Sequence, residues 1–509
     1  MVKKSNGTAV LGTIATVLDA ALAANPQAPA VEAVSGIWSY AELDTQARRC
    51  AGALWSLGVR PGDRVAACLP NDLGIVAAFH GAQRIGAIWV GIGEALSSSE
   101  QQELQTLCKP SVVLAGPNCR LDPLDCVSEA QWAELCGRDE TAPSVELDID
   151  APAGIAFTSG TSGQPKAVVH SQRNLLLPGA VLCATRGWGP ELRKGDSFPL
   201  TILNLMVLST LLTAQAGGCS VVMNRRDVDG VAEWIASRRV TVWNGAPAQL
   251  YDLARRPDVN LSSLQEIWCG GGDTPDGLRQ AFTDAHGLVP RVTYGLTEAP
   301  TVVSIDPPGR EWHPRTSGQV LPQYEVAAYS EDGSPLPAGK LGELRVRAAR
   351  SGQWAGSWTP MLGHWEHGGV TSTEPGPLAT GDIGTVDADG WLTVLDRKKL
   401  VIIRGGANVY PLEVERVIAT HPDVAKVAVY PVPDDRLGHR VAAIVESVGP
   451  PVEFGILADL CRNELSPYKV PEFWSQVDAL PVNAMGKIQR AGLAELTTSA
   501  VRAPQRGLR

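Results

Sequence analysis

Four hydroxyls, two glycines and a lysine crowd into Thr158-Ser159-Gly160-Thr161-Ser162-Gly163-Gln164-Pro165-Lys166. An apolar run, Gly154 to Phe157, precedes them and Ala167-Val168-Val169-His170 follows, which predicts strand, polar loop, strand. Glycines let the backbone curl until several N–H groups converge, while hydroxyls and Lys166 add donors and positive charge, a combination that suits a polyphosphate. The spacing is not that of the P-loop, because Lys166 follows Pro165 and no Ser or Thr opens a helix after it. Read alone, the same loop serves equally as a solvated turn.

Two further stretches carry the same kind of chemistry. Ile267-Trp268-Cys269 runs into Gly270-Gly271-Gly272-Asp273, and Arg291-Val292-Thr293-Tyr294 runs into Gly295-Leu296-Thr297-Glu298. Both read as strands ending in small and polar residues. In open α/β sheets ligands collect beyond the carboxyl ends of strands, so the three loops predict one crevice.

The elements that must hold these loops alternate. Ser39-Tyr40-Ala41-Glu42 is a capping box opening a helix whose apolar face includes Leu43, Ala47, Ala51 and Leu54, stopped at Gly58. Arg64 to Leu69 and Ser111 to Ala115 are strand-like, and Asp72 to Ile85 is helical. The acidic stretch Asp139 to Asp150 crosses the surface without pattern. Beyond the glycine loop, Asn174 to Arg186, Met206 to Ala216 and Val231 to Arg238 are helical, Cys219 to Met223 is a strand, and Thr241 to Pro247 is a strand entering a helix. The pattern predicts two doubly wound halves with largely parallel sheets. Ser317 to Asp396 changes to short strands with turn signals, a small β structure. Mixed α and β return after it: Pro411 to Ala419 and Ile456 to Leu465 helical, Val424 to Tyr430 and Val441 to Glu446 strands. The expected division is a large domain over 1–396 and a small one over 397–509.

At 509 residues the chain exceeds one core, and its 44% hydrophobic residues can fill two. A net charge of -10, without a long basic run, gives no footprint for nucleic acid. The 10 cysteines include no C-x-x-C pair, which points to a reduced, cytoplasmic enzyme rather than a zinc or redox centre. His364 and His367 read as surface histidines. The amino terminus resembles a secretory signal, but Asp19 interrupts its apolar run and Ile14, Val17, Leu18, Ala21 and Leu22 have helical spacing, so an amphipathic helix ended by Asn25-Pro26 is expected. No stretch reaches the ~18 apolar residues of a membrane span.

Together these loops resemble the adenylate-forming superfamily: acyl-CoA and aryl-CoA ligases, luciferases and the adenylation domains of peptide synthetases. The resemblance runs nearly end to end, through TSGTSGQPK (158 to 166), YGLTE (294 to 298), TGD (380 to 382), DRKKLVIIRGGANVYPLEVE (396 to 415) and NAMGKIQR (483 to 490). It implies an ATP-dependent enzyme that joins a carboxylate to the α-phosphate of ATP, releases pyrophosphate and passes the acyl group to a thiol. By resemblance, Ser159 to Gly163 and Lys166 hold the β- and γ-phosphates, Thr158 belongs to the same ATP-binding stretch, Thr297 contacts the α-phosphate, and Glu298 ligates Mg²⁺. Gly272, Asp273 and Thr274 flank the adenine, Tyr294 stacks on it with Gly295 beside it, Asp382 accepts the ribose hydroxyls, and Arg397 lies next to Asp382. Lys399 is the hinge of a mobile carboxyl-terminal domain that brings either Lys487 to the reacting carboxylate or Gly405 and Gly406 to the CoA channel.

Departures from the family pattern are Ser162-Gly163 for Thr-Gly, Ala167 for Gly, Asp273-Thr274 where a small residue and Pro are usual, Leu400 for a polar residue, and Ile202 where a His often gates the acyl tunnel. The acyl pocket is expected from Ile202, Leu203, Trp243, Asn244, Gly245, Gly270 and Gly271. Leu200 to Met206 contains no acid to neutralise a buried ammonium, so the expected substrate is a hydrophobic carboxylic acid, aryl or medium-length acyl, without an α-amino group. Asn244 either hydrogen-bonds that acid or caps the following helix. CoA is the expected acceptor; an acyl or peptidyl carrier protein's phosphopantetheine is the alternative, and a non-catalytic relic of the fold is a third reading.

Overall fold

The computed structural model describes residues 3–5, 8–10, 12–159, 165–309, 311–373, 375–482, 488–490, 492–493, 495–497 and 501–502. Two large sheets dominate residues 29–371. The first, eight-stranded, has in spatial order 369–371, 363–366, 165–171, 152–159, 88–91, 64–68, 112–115 and 127–128. The second, nine-stranded, runs 319–320, 299–305, 291–296, 266–269, 242–245, 193–196, 219–222, 29–33 and 36–39. Both have a parallel centre; the second is antiparallel at both edges, whereas the first is antiparallel from 152–159 outward and parallel to its other edge at 127–128. This is an α/β fold, but the sheets are mixed rather than parallel throughout, and their membership departs from chain order. Strand Pro29–Ala33 pairs with Cys219–Val222 in the second sheet. Strands Gly363–Glu366 and Gly369–Thr371, expected in the small β structure, extend the first sheet through Val168 and His364.

Helices fill the space between and outside the sheets. Leu73–Arg84 is capped by Asp72 and buries nearly every side chain, the signature of a helix covered on all sides. It meets Tyr40–Ser56 so closely that a Cβ on Gly81 would lie 2.5 Å from Cβ of Cys50. The Ser39 and Glu42 capping box is present. The amino-terminal amphipathic segment is two short pieces, a 3₁₀ turn at Ile14–Thr16 and a helix at Asp19–Ala24.

The small β structure is a four-stranded antiparallel sheet of 324–329, 342–348, 378–386 and 392–397. Its last strand ends at Arg397, and the next strand, Ile402–Arg404, belongs to a separate sheet with 407–409, 424–434, 438–447, 473–477 and 501–502. That sheet has its own core, with Ile402, Val414, Ile418, Val441, Leu457 and Trp474 buried in it. The crossing between the two bodies therefore falls on residues 398–401.

Candidate active site

Strands Pro152–Ser159 and Pro165–Ser171 form an antiparallel hairpin with Lys166 opposite Thr158. Gly160 to Gly163 and Gln164 lie outside the described residues. Lys166 is exposed at the foot of the loop. Further along the same strand His170 is buried, and its Nε2 donates to the Thr297 carbonyl at 2.7 Å. Burial holds this imidazole neutral, down to about 4. One side chain thus ties the glycine-loop hairpin to the Thr297-Glu298 turn, where both residues are half-buried.

That turn follows a bulge that explains its glycine. Strand Arg291–Leu296 shifts register between Tyr294 and Leu296 against Ala299–Ile305, and a Cβ on Gly295 would lie 1.5 Å from the Thr301 carbonyl oxygen. Thr301 itself has φ +75°, costly for a β-branched residue. Beside the bulge, the Tyr294 hydroxyl donates to Asp382 Oδ2 at 2.5 Å, while Arg397 Nε lies 2.8 Å from Oδ1. Asp382 is only 3% exposed, and its N–H donates to Thr380 Oγ1. Burial, then the adjacent carboxylate, pushes the Tyr294 phenol well above its ordinary value, so it stays a donor.

The third loop leaves strand Glu266–Cys269. Gly270 has no room for a side chain because Thr293 Oγ1 occupies that place, and Gly271 has φ +79°. Thr274 Oγ1 donates to Cys269 Sγ at 3.2 Å. Asp273 is engaged by the carboxyl-terminal domain: Arg416, on helix Pro411–Ile418, reaches its two oxygens at 2.7 and 3.0 Å and the Val394 carbonyl at 3.2 Å. Sequence reasoning placed Asp273 at the nucleotide and missed this partner, since Arg416 stands 143 positions away.

In that domain Gly405 (φ +59°) and Gly406 (φ +83°) form the two-residue turn between Ile402–Arg404 and Ala407–Val409, which demands left-handed backbone at both positions. Lys399 is exposed in the 3₁₀ turn Lys398–Leu400. Lys487 lies outside the described residues.

Around the expected acyl pocket, Asn71 fixes the approach by donating to the Phe198 carbonyl and accepting from the Leu200 N–H, both at 2.8 Å. Ile202 precedes helix Leu203–Met206, which continues as a π-turn, Val207–Leu211, and again as α-helix, Leu212–Ala216. Such turns are frequent at functional sites. Leu203 packs against Gly154, where a Cβ would meet its δ-carbons. Trp243 is a correction. Side chains alternate along strand Val242–Gly245, and Trp243 points to the core with Val231, Leu250, Ile267 and Phe282. Val242 and Trp268 occupy the other face, with Leu208, Leu212 and Leu296. Gly245 leaves room for the Trp243 ring. Asn244 does not cap helix Pro247–Ala254; that position belongs to Ala246, whose N–H donates to Gln249.

A family model described as AMP-binding enzyme matches residues 18–352, and one described as AMP-binding enzyme C-terminal domain matches 413–487. The chain is an AMP-binding enzyme of the adenylate-forming superfamily. Among its relatives are a feruloyl-CoA synthase from Amycolatopsis sp, 30% identical with 91% of this chain and 95% of the relative covered, and the long-chain-fatty-acid–CoA ligase FadD13 of Mycobacterium tuberculosis, 29% identical with 91% and 94% covered. The o-succinylbenzoate CoA synthetase MenE of Bacillus subtilis, solved with its acyl-adenylate, superposes with TM-score 0.83 at 26% identity, covering 96% of this chain and 99% of that one. The anthranilate CoA ligase AuaEII shares the fold at TM-score 0.87 and 23% identity, with 97% and 99% covered. In this AMP-binding enzyme the structure joins Tyr294 and Arg397 to Asp382, ties the Thr297-Glu298 turn through His170 to the strand that begins at Pro165-Lys166, sets Gly270 to Thr274 at the neighbouring strand end, and adds Arg416 as a contact from the second domain.

Proposed function

We propose that this chain is an AMP-forming acid:CoA ligase that activates a hydrophobic carboxylic acid, aryl or medium-length acyl. The observation that carries this reading is the Asp382 carboxylate, buried and held by Tyr294 and Arg397, beside a Thr297-Glu298 turn that His170 ties to the glycine-loop hairpin. Two carboxylate oxygens in a fixed orientation suit the vicinal hydroxyls of a ribose. With the ribose there, the α-phosphate falls towards Thr297, and the β- and γ-phosphates towards Lys166 and the loop over 160–163.

The acid's oxygen attacks the α-phosphorus, the bond to pyrophosphate breaks, and an acyl-adenylate results. Negative charge grows at phosphorus in that step, so donors and cations fixed beforehand lower its barrier. Glu298 is a single half-buried carboxylate, and it fits Mg²⁺, which takes one or two carboxylates with phosphate oxygens. The ion neutralises phosphate charge when bound. In the second step the CoA sulfur attacks the acyl carbon, the bond to AMP breaks, and the thiol proton leaves to solvent. Exchange of the 397–509 domain about Lys399 serves both steps, with Lys487 in the first pose and Gly405-Gly406 along the thiol's path in the second. We place the enzyme in the cytoplasm, where ATP and CoA are supplied.

Acid-dependent ATP–pyrophosphate exchange, with hydroxamate trapping of the adenylate, tests the first half. Comparing CoA with a phosphopantetheinylated carrier protein as acceptor tests the second. Exchange with no acid would defeat the ligase reading, and transfer to the carrier alone would replace CoA as acceptor.

A further inference from the structure

The strand that enters the acyl region carries a charged pair with no place in the scheme above. Lys194 and Asp196 alternate with Gly195 on strand Arg193–Asp196, so both side chains project from one face, and both are 0% exposed with Nζ 2.7 Å from Oδ2. Lys194 also lies 5.1 Å over the Trp268 ring. In the sheet register Asp196 pairs with Asn244 and Asn244 with Trp268, so the three form a row on one face. The π-turn and helix that bear Leu208 and Leu212 cover that face.

Asp196 is not satisfied by this arrangement. Its Oδ1 is buried without a hydrogen-bond partner among the described residues; burial pushes the carboxyl above its ordinary value, and the Lys194 ammonium and then the Asn244 amide offset this only in part. A buried acceptor without a partner is costly, and such atoms await a ligand or water. The row lies at the end of strand Arg193–Asp196 and one residue pair before the ends of its two neighbours, where Gly245 pairs with Cys269 ahead of Gly270. Asn244, at 9%, is more exposed than Lys194, Asp196 or Trp268, each 0%.

We infer that Asp196, with Asn244 beside it, determines specificity by accepting a hydrogen bond from a hydroxyl or amino group at the end of the acid remote from its reacting carboxylate. This rests on the ligase reading and narrows it: the substrate is an apolar body with one distal donor. A site built around a buried acceptor rejects the analogue that lacks the donor, because the acceptor is then desolvated for nothing.

The test measures kcat/KM for ATP–pyrophosphate exchange with matched benzoates and cinnamates bearing hydroxyl, amino, methyl or hydrogen at the meta or para position, and with phenylalanine. The best hydroxyl or amino acid should exceed its methyl partner by ~10²-fold or more. In the double variant Lys194→Met/Asp196→Leu, which replaces a buried ion pair by apolar groups of similar volume and so keeps the fold, that ratio should collapse towards one. Asn244→Leu should reduce it as well and serves if the double variant fails to fold. Equal rates for hydroxyl and methyl acids, an unchanged ratio in the folded variants, or a preference for phenylalanine would each overturn the inference while leaving the ligase reading intact. Exchange with no acid would overturn both.

Discussion

Asp382 makes the most direct claim at the scale of single residues. Asp382→Asn keeps the shape but removes the charge that Arg397 faces and that, in the proposed function, two ribose hydroxyls share, and hydrogen bonds to charged groups contribute ~1.5–3 kcal/mol. The KM for ATP in the exchange reaction should rise roughly 10- to 100-fold, with kcat for supplied acyl-AMP and CoA much less affected; an unchanged KM would remove Asp382 from the nucleotide site. His170 makes a claim about pH. Burial, only partly offset by its bond to Thr297, lowers its pKa from 6.5 to about 4. The unfolded chain therefore takes a proton near pH 6.5 that the folded chain refuses until about 4. Stability should fall as pH drops through that window, by up to ~1.4 kcal/mol per pH unit from this residue. His80, buried beside Thr210, acts in the same direction, its pKa lowered to about 3. Denaturant titrations of wild type and His170→Gln, which keeps a donor for Thr297, should diverge in slope between pH 6.5 and 4 and run parallel above 7.

At the scale of elements, Gly295 is fixed by its own hairpin before any ligand arrives. Gly295→Ala would press a methyl onto the Thr301 carbonyl, which is backbone and cannot rotate away. Overpacking of this kind costs ~1–3 kcal/mol, so urea unfolding should show a loss of that size, together with slower adenylation because Thr297 and Glu298 ride on the same turn. Wild-type stability in the variant would show that the bulge relaxes freely. These elements also mark how far the sequence could be read. Helices with caps or strong periodicity, such as Tyr40–Ser56 and Leu73–Arg84, and strands ending in glycine, such as Glu266–Cys269, were legible because their signals are local. The facing of Trp243 was not, since a continuous apolar run hides which residues of a doubly covered strand share a face. Nor were Lys194 and Asp196, because charges in Arg193-Lys194-Gly195-Asp196 read as surface until the neighbouring strands and the covering helix are placed. The sheet membership of 29–33 and 363–371 depends on partners far away in sequence, which no local pattern encodes.

For the whole molecule, the Asp273–Arg416 pair is the contact to perturb. It joins the Gly270 to Thr274 loop to the carboxyl-terminal domain in one arrangement, and a rotation about the 398–401 crossing would part it. A bidentate pair that is partly exposed contributes ~1 kcal/mol, a roughly fivefold shift between poses. Arg416→Ala should change adenylation and thioester formation in opposite directions when the half-reactions are measured separately; equal slowing of both would mean that the pair is not specific to one pose. Lys399→Pro fixes φ at the crossing and should leave one half-reaction running while the other fails; two unimpaired half-reactions would move the hinge elsewhere. The second sheet has a different consequence, one of timing. Val31 finds its parallel partner only at Ser220. At a synthesis rate of ~5–20 residues per second, the amino-terminal strand waits roughly ten to forty seconds on the ribosome with its edge unpaired. During that interval helices Tyr40–Ser56 and Leu73–Arg84 can pack on the nascent ribbon but its pairing edge stays open, a natural station for a holding chaperone and a point from which overexpression would send this enzyme into inclusion bodies.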